Sequence, residues 1–159
     1  MPRIDIEQLS DDARIWIFGI SPALDETKSA QFLHEIDHFL ASWAAHGTPI
    51  VAARELLHGS FLVIAVDKRS ETSGCSIDKM FGLLRQLEQK HGVEVLEGTR
   101  VFARDDAGNV RGFKRADFRA IASGNTPVFD HLVERLGEVR SGRWEKPAAE
   151  SWHRSLLSA

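Results

Sequence analysis

The sequence predicts an α+β domain whose core follows the ferredoxin-like βαββαβ order. Three observations carry this. The segments Arg14 to Ile20 and Phe61 to Val66 are short, rich in β-branched and aromatic residues, and apolar on both alternating faces, as central strands are. Two longer segments, Asp25 to about Ala45 and Ser76 to His91, repeat apolar residues at helical spacing. The order through Arg104 is then β-α-β-β-α-β, a topology that puts its first and third strands in the middle of the sheet.

Each element has its local reason. Ser21-Pro22 and Asp25 are turn and cap residues that open the first helix, whose stripe is Phe32, Ile36, Phe39, Leu40 and Trp43. Gly47, Thr48 and Pro49 end it, Ile50 to Leu57 forms a mixed strand, and His58-Gly59-Ser60 turns the chain into Phe61 to Val66. The second helix buries Ile77, Met80, Phe81, Leu84 and Leu87 and stops at Gly92. A strand over Thr99 to Arg104 leads through the turn Asp105 to Asn109 into a short strand near Val110 to Lys114. Ala116 to Ser123 and Asp130 to Val139 read as helices, and Ala148 to Leu157 as a short final one. The chain of 159 residues is thus expected to be one domain, with a core of about 12–104 and an extension of about 105–159. Two helices cover only one face of such a sheet. The other is expected to be covered by the C-terminal β-hairpin and helical extension, with Trp144, Trp152, Leu156 and Leu157 supplying apolar cover, or by a homodimer.

Composition narrows the function classes. A hydrophobic fraction of 43% with 27% charged residues is that of an ordinary globular protein. The formal net charge of −3 gives no general attraction to nucleic acid or anionic membrane, so neither is an expected partner. No apolar run approaches a membrane span, and Met-Pro-Arg-Ile-Asp-Ile-Glu lacks the apolar stretch of a signal peptide. With a single cysteine there is no internal disulfide, and a cytoplasmic location is expected.

Three constellations could carry chemistry. Thr72 to Lys79 (Thr-Ser-Gly-Cys-Ser-Ile-Asp-Lys) places the lone Cys75 at a helix start, where unpaired backbone N–H groups favour an anion or a thiolate. The same residues serve as an ordinary cap, with Ser73 or Ser76 as the capping residue and Cys75 packed inside. His34-Glu35-Ile36-Asp37-His38 matches the zinc-protease pattern H-E-x-x-H, yet His34 and His38 fall opposite the apolar stripe, on the solvated face. The tail from Trp144 to His153 gathers two Trp and His153, which suits an acid or base as well as simple packing. No G-x-x-x-x-G-K-[ST], G-x-G-x-x-G or paired C-x-x-C occurs.

Four segments also resemble an uncharacterised family of small bacterial proteins: Arg14 to Ile17, Trp43 to Gly47 (Trp-x-Ala-His-Gly), Ser73 to Lys79, and the closing Glu-Ser-Trp-His at Glu150 to His153. The similarity runs nearly the whole chain. Members are often labelled ABC transporter ATPases, a label at odds with the missing phosphate-binding loop. The resemblance implies no activity but marks these residues.

The leading expectation is a non-hydrolytic protein that binds a small anion or a partner, with Ser73, Gly74, Cys75, Ser76 and Lys79 as ligand-binding residues and no cofactor or metal. The alternative is a thiol enzyme that uses Cys75 with one of His46, His58, His91, His131 or His153. A zinc hydrolase through His34, Glu35 and His38 comes third.

Overall fold

The computed structural model describes residues 3–158. Its first half contains β1 (Arg14–Gly19), α1 (Glu26–Ser42), a ribbon of β2 (Ala44–Ala45) and β3 (Thr48–Pro49), β4 (Ala52–Leu57), β5 (Phe61–Val66) and α2 (Gly74–His91). β1, β5 and β4 form an antiparallel sheet in that order, with Arg14 to Gly19 paired to Val66 to Phe61 and Ala52 to Leu57 paired to the same strand. β1 and β4 therefore run in the same direction with β5 between them, which is half of the expected topology. The helices form where their caps predict. The Asp25 carboxylate accepts the Lys28 N–H at 2.7 Å, and Gly92 ends α2 in the left-handed region at φ 64°.

One face of this sheet packs on the helices. Phe18, Leu62, Ile64 and Val66 meet Phe32, Ile36 and Leu40 of α1 and Met80, Leu84 and Leu87 of α2 in one apolar cluster. Asp37 ties α1 to β4 from outside, accepting from Arg54 through Nε and Nη2, both at 2.8 Å, and from Arg3 Nε at 2.7 Å. Burial alone would raise its pKa, but the hydrogen bonds from Arg54 and Arg3 outweigh it and hold Asp37 below the usual carboxylate range.

The fourth strand departs from the ferredoxin-like expectation, as does the placing of β1 in the middle of the sheet. β6 (Val101–Arg104) leaves β1 as an edge and joins β7 (Val110–Phe113), β8 (Pro127–Phe129) and β9 (Glu145–Pro147) in a second antiparallel sheet of order β7-β6-β8-β9. Beside β1 the chain after α2 makes only a bridge, in which Ser21 and Glu94 exchange N–H···O bonds of 3.0 and 2.8 Å. The other end of the β1 edge is taken by residues 134–135, where Ile15 N–H donates to the Glu134 carbonyl at 2.9 Å. Phe102 points from β6 back at β1 and lies so close to Gly19 and Gly112 that a Cβ at either would collide with its ring.

This second sheet is the cover that the first one needed. Ile15, Ile17, Ala53, Phe61, Val63 and Ala65 pack on Phe102, Phe129, Leu136, Val139 and Trp144. The open apolar face that argued for a homodimer is thereby buried within the chain. Trp152, Leu156 and Leu157 serve a different layer: with Phe118 they cover the far side of the second sheet, against Val101, Ala103 and Val128. Two further helices are shorter than the periodicity suggested. α3 spans Arg115–Ile121, and of the helix expected over Asp130 to Val139 only α4 (Leu136–Arg140) forms, since Asp130 accepts the Leu132 N–H and turns the chain toward the β1 edge. The expected final helix is two 3-10 turns, Ala148–Glu150 and Trp152–Leu156, interrupted by an extended Ser151. No helix among the described residues is long and apolar enough to cross a membrane.

The joint between the sheets is Phe61. Its ring lies 5.1 Å from Phe102, 5.0 Å from Phe129 and 4.9 Å from Trp144, and the side chain is 0% exposed. Truncation would leave a void between two rigid layers. Phe61→Ala is expected to lower the unfolding free energy by about 3–5 kcal/mol in urea titrations. A loss under about 1 kcal/mol would show that the layers close over the gap and that the joint lies elsewhere.

Candidate functional site

The segment Ser73 to Lys79 opens α2 as a capping box. Ser73 Oγ accepts the Ser76 N–H at 3.1 Å, and Ser76 Oγ accepts the Ser73 N–H at 2.7 Å while donating to the Ser73 carbonyl at 2.8 Å. Both hydroxyls are thus used inside the cap. Ser76 is buried, and its carbonyl accepts from Trp43 Nε1 at 2.8 Å. Gly74, Cys75, Asp78 and Lys79 face solvent. Cys75 is a free, exposed thiol, so the expected buried packing role does not hold.

The open space lies just before this segment. Residues 67–72 separate two clefts of about 610 and 660 Å³, and Ser70, Glu71 and Thr72 line both. The second cleft is walled by the β2–β3 ribbon, with His46 at its rim. The first is bounded by Asp12, Arg14, Lys68 and Arg135. Arg14 and Arg135 face each other as an antiparallel bridge pair, both exposed, and neither has a carboxylate partner among the described residues. Of the acidic residues that line this cleft, Asp12 and Asp67 are paired and Glu71 has no ion-pair partner among the described residues. Asp12 is 3.4 Å from Lys68, and Asp67 accepts from Arg69 Nε at 3.1 Å and Nη2 at 3.2 Å. Those Arg69 side-chain and backbone hydrogen bonds hold Asp67 below the usual carboxylate range.

An aromatic relay joins this cleft to the helix start. The Arg14 guanidinium sits 4.4 Å over the Trp16 ring, Trp16 meets Trp43 edge-on at 6.5 Å, and Trp43 donates to Ser76. Three of the four segments that carry the resemblance therefore converge in space. The fourth does not. His153 lies beyond the second sheet, stacked on Trp152 at 3.8 Å and 6.2 Å from Phe118, while Cys75 belongs to the helical layer on the other side of the molecule. The structure does not bring Cys75 and His153 together.

The H-E-x-x-H match falls on the solvated face of α1, as its phase predicts. His34 and His38 are exposed, and Glu35 turns to Lys90 at 3.1 Å, with His91 Nε2 at 3.6 Å. Among the described residues no group of three or more His, Cys, Asp or Glu side chains could hold a metal ion.

Arg135 and Ser70 were not singled out by sequence reasoning. Arg135 sits inside a segment that reads as helix, and its pairing with Arg14 joins positions too far apart for any local pattern to show. No protein-family model matches the chain, and neither a curated protein nor a solved structure matches it.

His153 is a buried histidine whose pKa lies well below the ordinary range. It is 0% exposed, its Nδ1 shares a 2.8 Å hydrogen bond with Ser151 Oγ, and Nε2 is buried without a partner among the described residues. Burial, with a smaller contribution from His131, lowers its pKa from 6.5 to about 4. His131 is lowered in the same direction by burial. An unfolded histidine takes a proton near 6.5 while the folded one resists, so stability falls as pH drops below 6.5 toward about 4. The carboxylates held low by arginine lose their contribution only at lower pH. Urea unfolding is expected to lose about 2 kcal/mol to His153 between pH 6.5 and about 5, a loss removed by His153→Phe. An identical pH dependence in that variant would contradict the assignment.

Proposed function

We propose that this protein binds a small anion, a phosphate or carboxylate group, in the cleft between the start of β1 and residues 67–72. The carrying observation is the Arg14–Arg135 pair, two arginines on facing positions at the cleft, neither of them ion-paired to a carboxylate among the described residues. Like charges across a strand pair are destabilising unless something lies between them, and a forked guanidinium suits a two-oxygen anion. Ser70 and Thr72 line the same cleft with hydroxyl groups that can donate. The reading moves the expected site by a few residues. Ser73 and Ser76 serve as cap, Gly74, Cys75 and Lys79 lie outside the cleft lining, and Thr72 forms the rim nearest them.

The test is thermal unfolding with inorganic phosphate or citrate against chloride at matched ionic strength. A saturable rise in midpoint is expected for the wild type. Arg135→Gln should weaken it about 10- to 100-fold, the worth of one or two charge-assisted hydrogen bonds, and Lys79→Gln should leave it unchanged. A midpoint indifferent to these anions, or equal shifts in the wild type and Arg135→Gln, would reject the cleft as the site.

A further inference from the structure

The vacancy left by the missing fourth strand is a second place where the fold offers binding groups. Along β1 the even residues bond β5, as Ile20 N–H does in donating to Ser60 at 2.6 Å, while Ile15 and Ser21 turn their N–H groups outward to Glu134 and Glu94. Ile17 and Gly19 share that outward parity, and no strand among the described residues pairs with them there. A row of N–H and C=O groups is thus left between two closed ends.

This stretch of edge borders a cavity of about 150 Å³ whose walls include Phe18, Phe81, Leu96 and Phe102, with His131 beside them and Glu94, Glu97 and Arg100 also lining it. Phe81 meets Phe18 edge-on at 5.8 Å, and Phe102 stands edge-on to His131 at 6.0 Å, so flat rings bound the space. The Nδ1 atom of His131 is buried and has no partner among the described residues. An unsatisfied polar atom beside an unpaired backbone edge normally finds a ligand or water.

We infer that this cavity binds a small planar ring carrying an N–H next to a C=O, as in a lactam, an imide or a pyrimidine edge. Such an edge offers one donor and one acceptor side by side, the pair that a neighbouring strand would have presented to one outward residue of β1. The volume is that of a benzene-sized guest. A peptide strand does not fit this role. The bridges at Ile15–Glu134 and Ser21–Glu94 close both ends, so no chain can run through. The apolar ring would lie against the Phe walls while its polar edge replaces the missing ladder bonds. This site is independent of the anion cleft, which lies at the other end of β1.

The probe is 2-pyridone, with N-methyl-2-pyridone as the control that lacks the donor, titrated into ¹⁵N-labelled protein. Saturable shifts of the Ile17 and Gly19 amides are expected for 2-pyridone with a dissociation constant on the order of 1 mM. The N-methyl compound should bind about tenfold more weakly. Leu96→Trp fills the cavity and should abolish the shifts without moving the phosphate response of the anion cleft. Equal affinity for the two compounds would reduce the site to an apolar hole and overturn the inference. Absence of saturable shifts at Ile17 and Gly19 would overturn it as well, whether or not the Leu96 variant folds.

Discussion

The structure depends on the burial of β5 from both sides. No residue from Phe61 to Val66 is more than 2% exposed. Its even members, Leu62, Ile64 and Val66, face the helices, and its odd members, Phe61, Val63 and Ala65, face the second sheet. One strand thus belongs to two apolar clusters at once, and each layer would expose a broad apolar face without it. Phe61 concentrates the contact on the second side, with three aromatic rings within about 5 Å of its own.

That arrangement determines what β1 can do. A sheet with four strands in the expected order would have buried both edges of β1. With β6 drawn away to the second sheet, β1 becomes an edge whose two ends are closed by single bridges and whose middle is open. Edges of this kind are normally blunted or covered, since unpaired backbone invites pairing with another chain. Here the closure is partial: Phe102 wedges over Gly19, and residues 134–135 bring Arg135 against Arg14. Arg14 and Arg135 thus occupy facing positions on this edge, and neither is ion-paired among the described residues. Contacts from Arg14 through Trp16 and Trp43 to the Ser76 carbonyl link the start of β1 to the start of α2.

How much of this was legible follows from the range of each interaction. β1, β4, β5 and both long helices show in the sequence because their signals are local: alternation, helical spacing, an Asp25 cap, a Gly92 stop. The buried Phe61 to Val66 run correctly predicted a strand covered on both sides, and the C-terminal half does provide the cover. β8 and β9 escaped notice because three-residue strands carry almost no periodicity, and Pro127 and Pro147 disguise them as loops. The fate of β6 was invisible for another reason. Val101, Phe102 and Ala103 look the same whether they pair with β1 or with β8, and the pairing with β8 brings Phe102 against Gly19 and Gly112, contacts that no local pattern shows. At the candidate site, the serines of Thr72 to Lys79 are absorbed by the cap. The unpaired charge came from Arg14 and Arg135, distant in sequence and joined only by the edge of β1.

The claim that β5 joins two layers into one cooperative body is tested most directly by native-state hydrogen exchange at low denaturant. If it is right, the amides of β5 and those of Phe102 and Ala103 in β6 exchange only through global unfolding, with one free energy and one denaturant slope. If the amides of β6 and β8 instead open at a free energy lower by more than about 2 kcal/mol, with a shallower slope, the second sheet is a separable unit and the account fails.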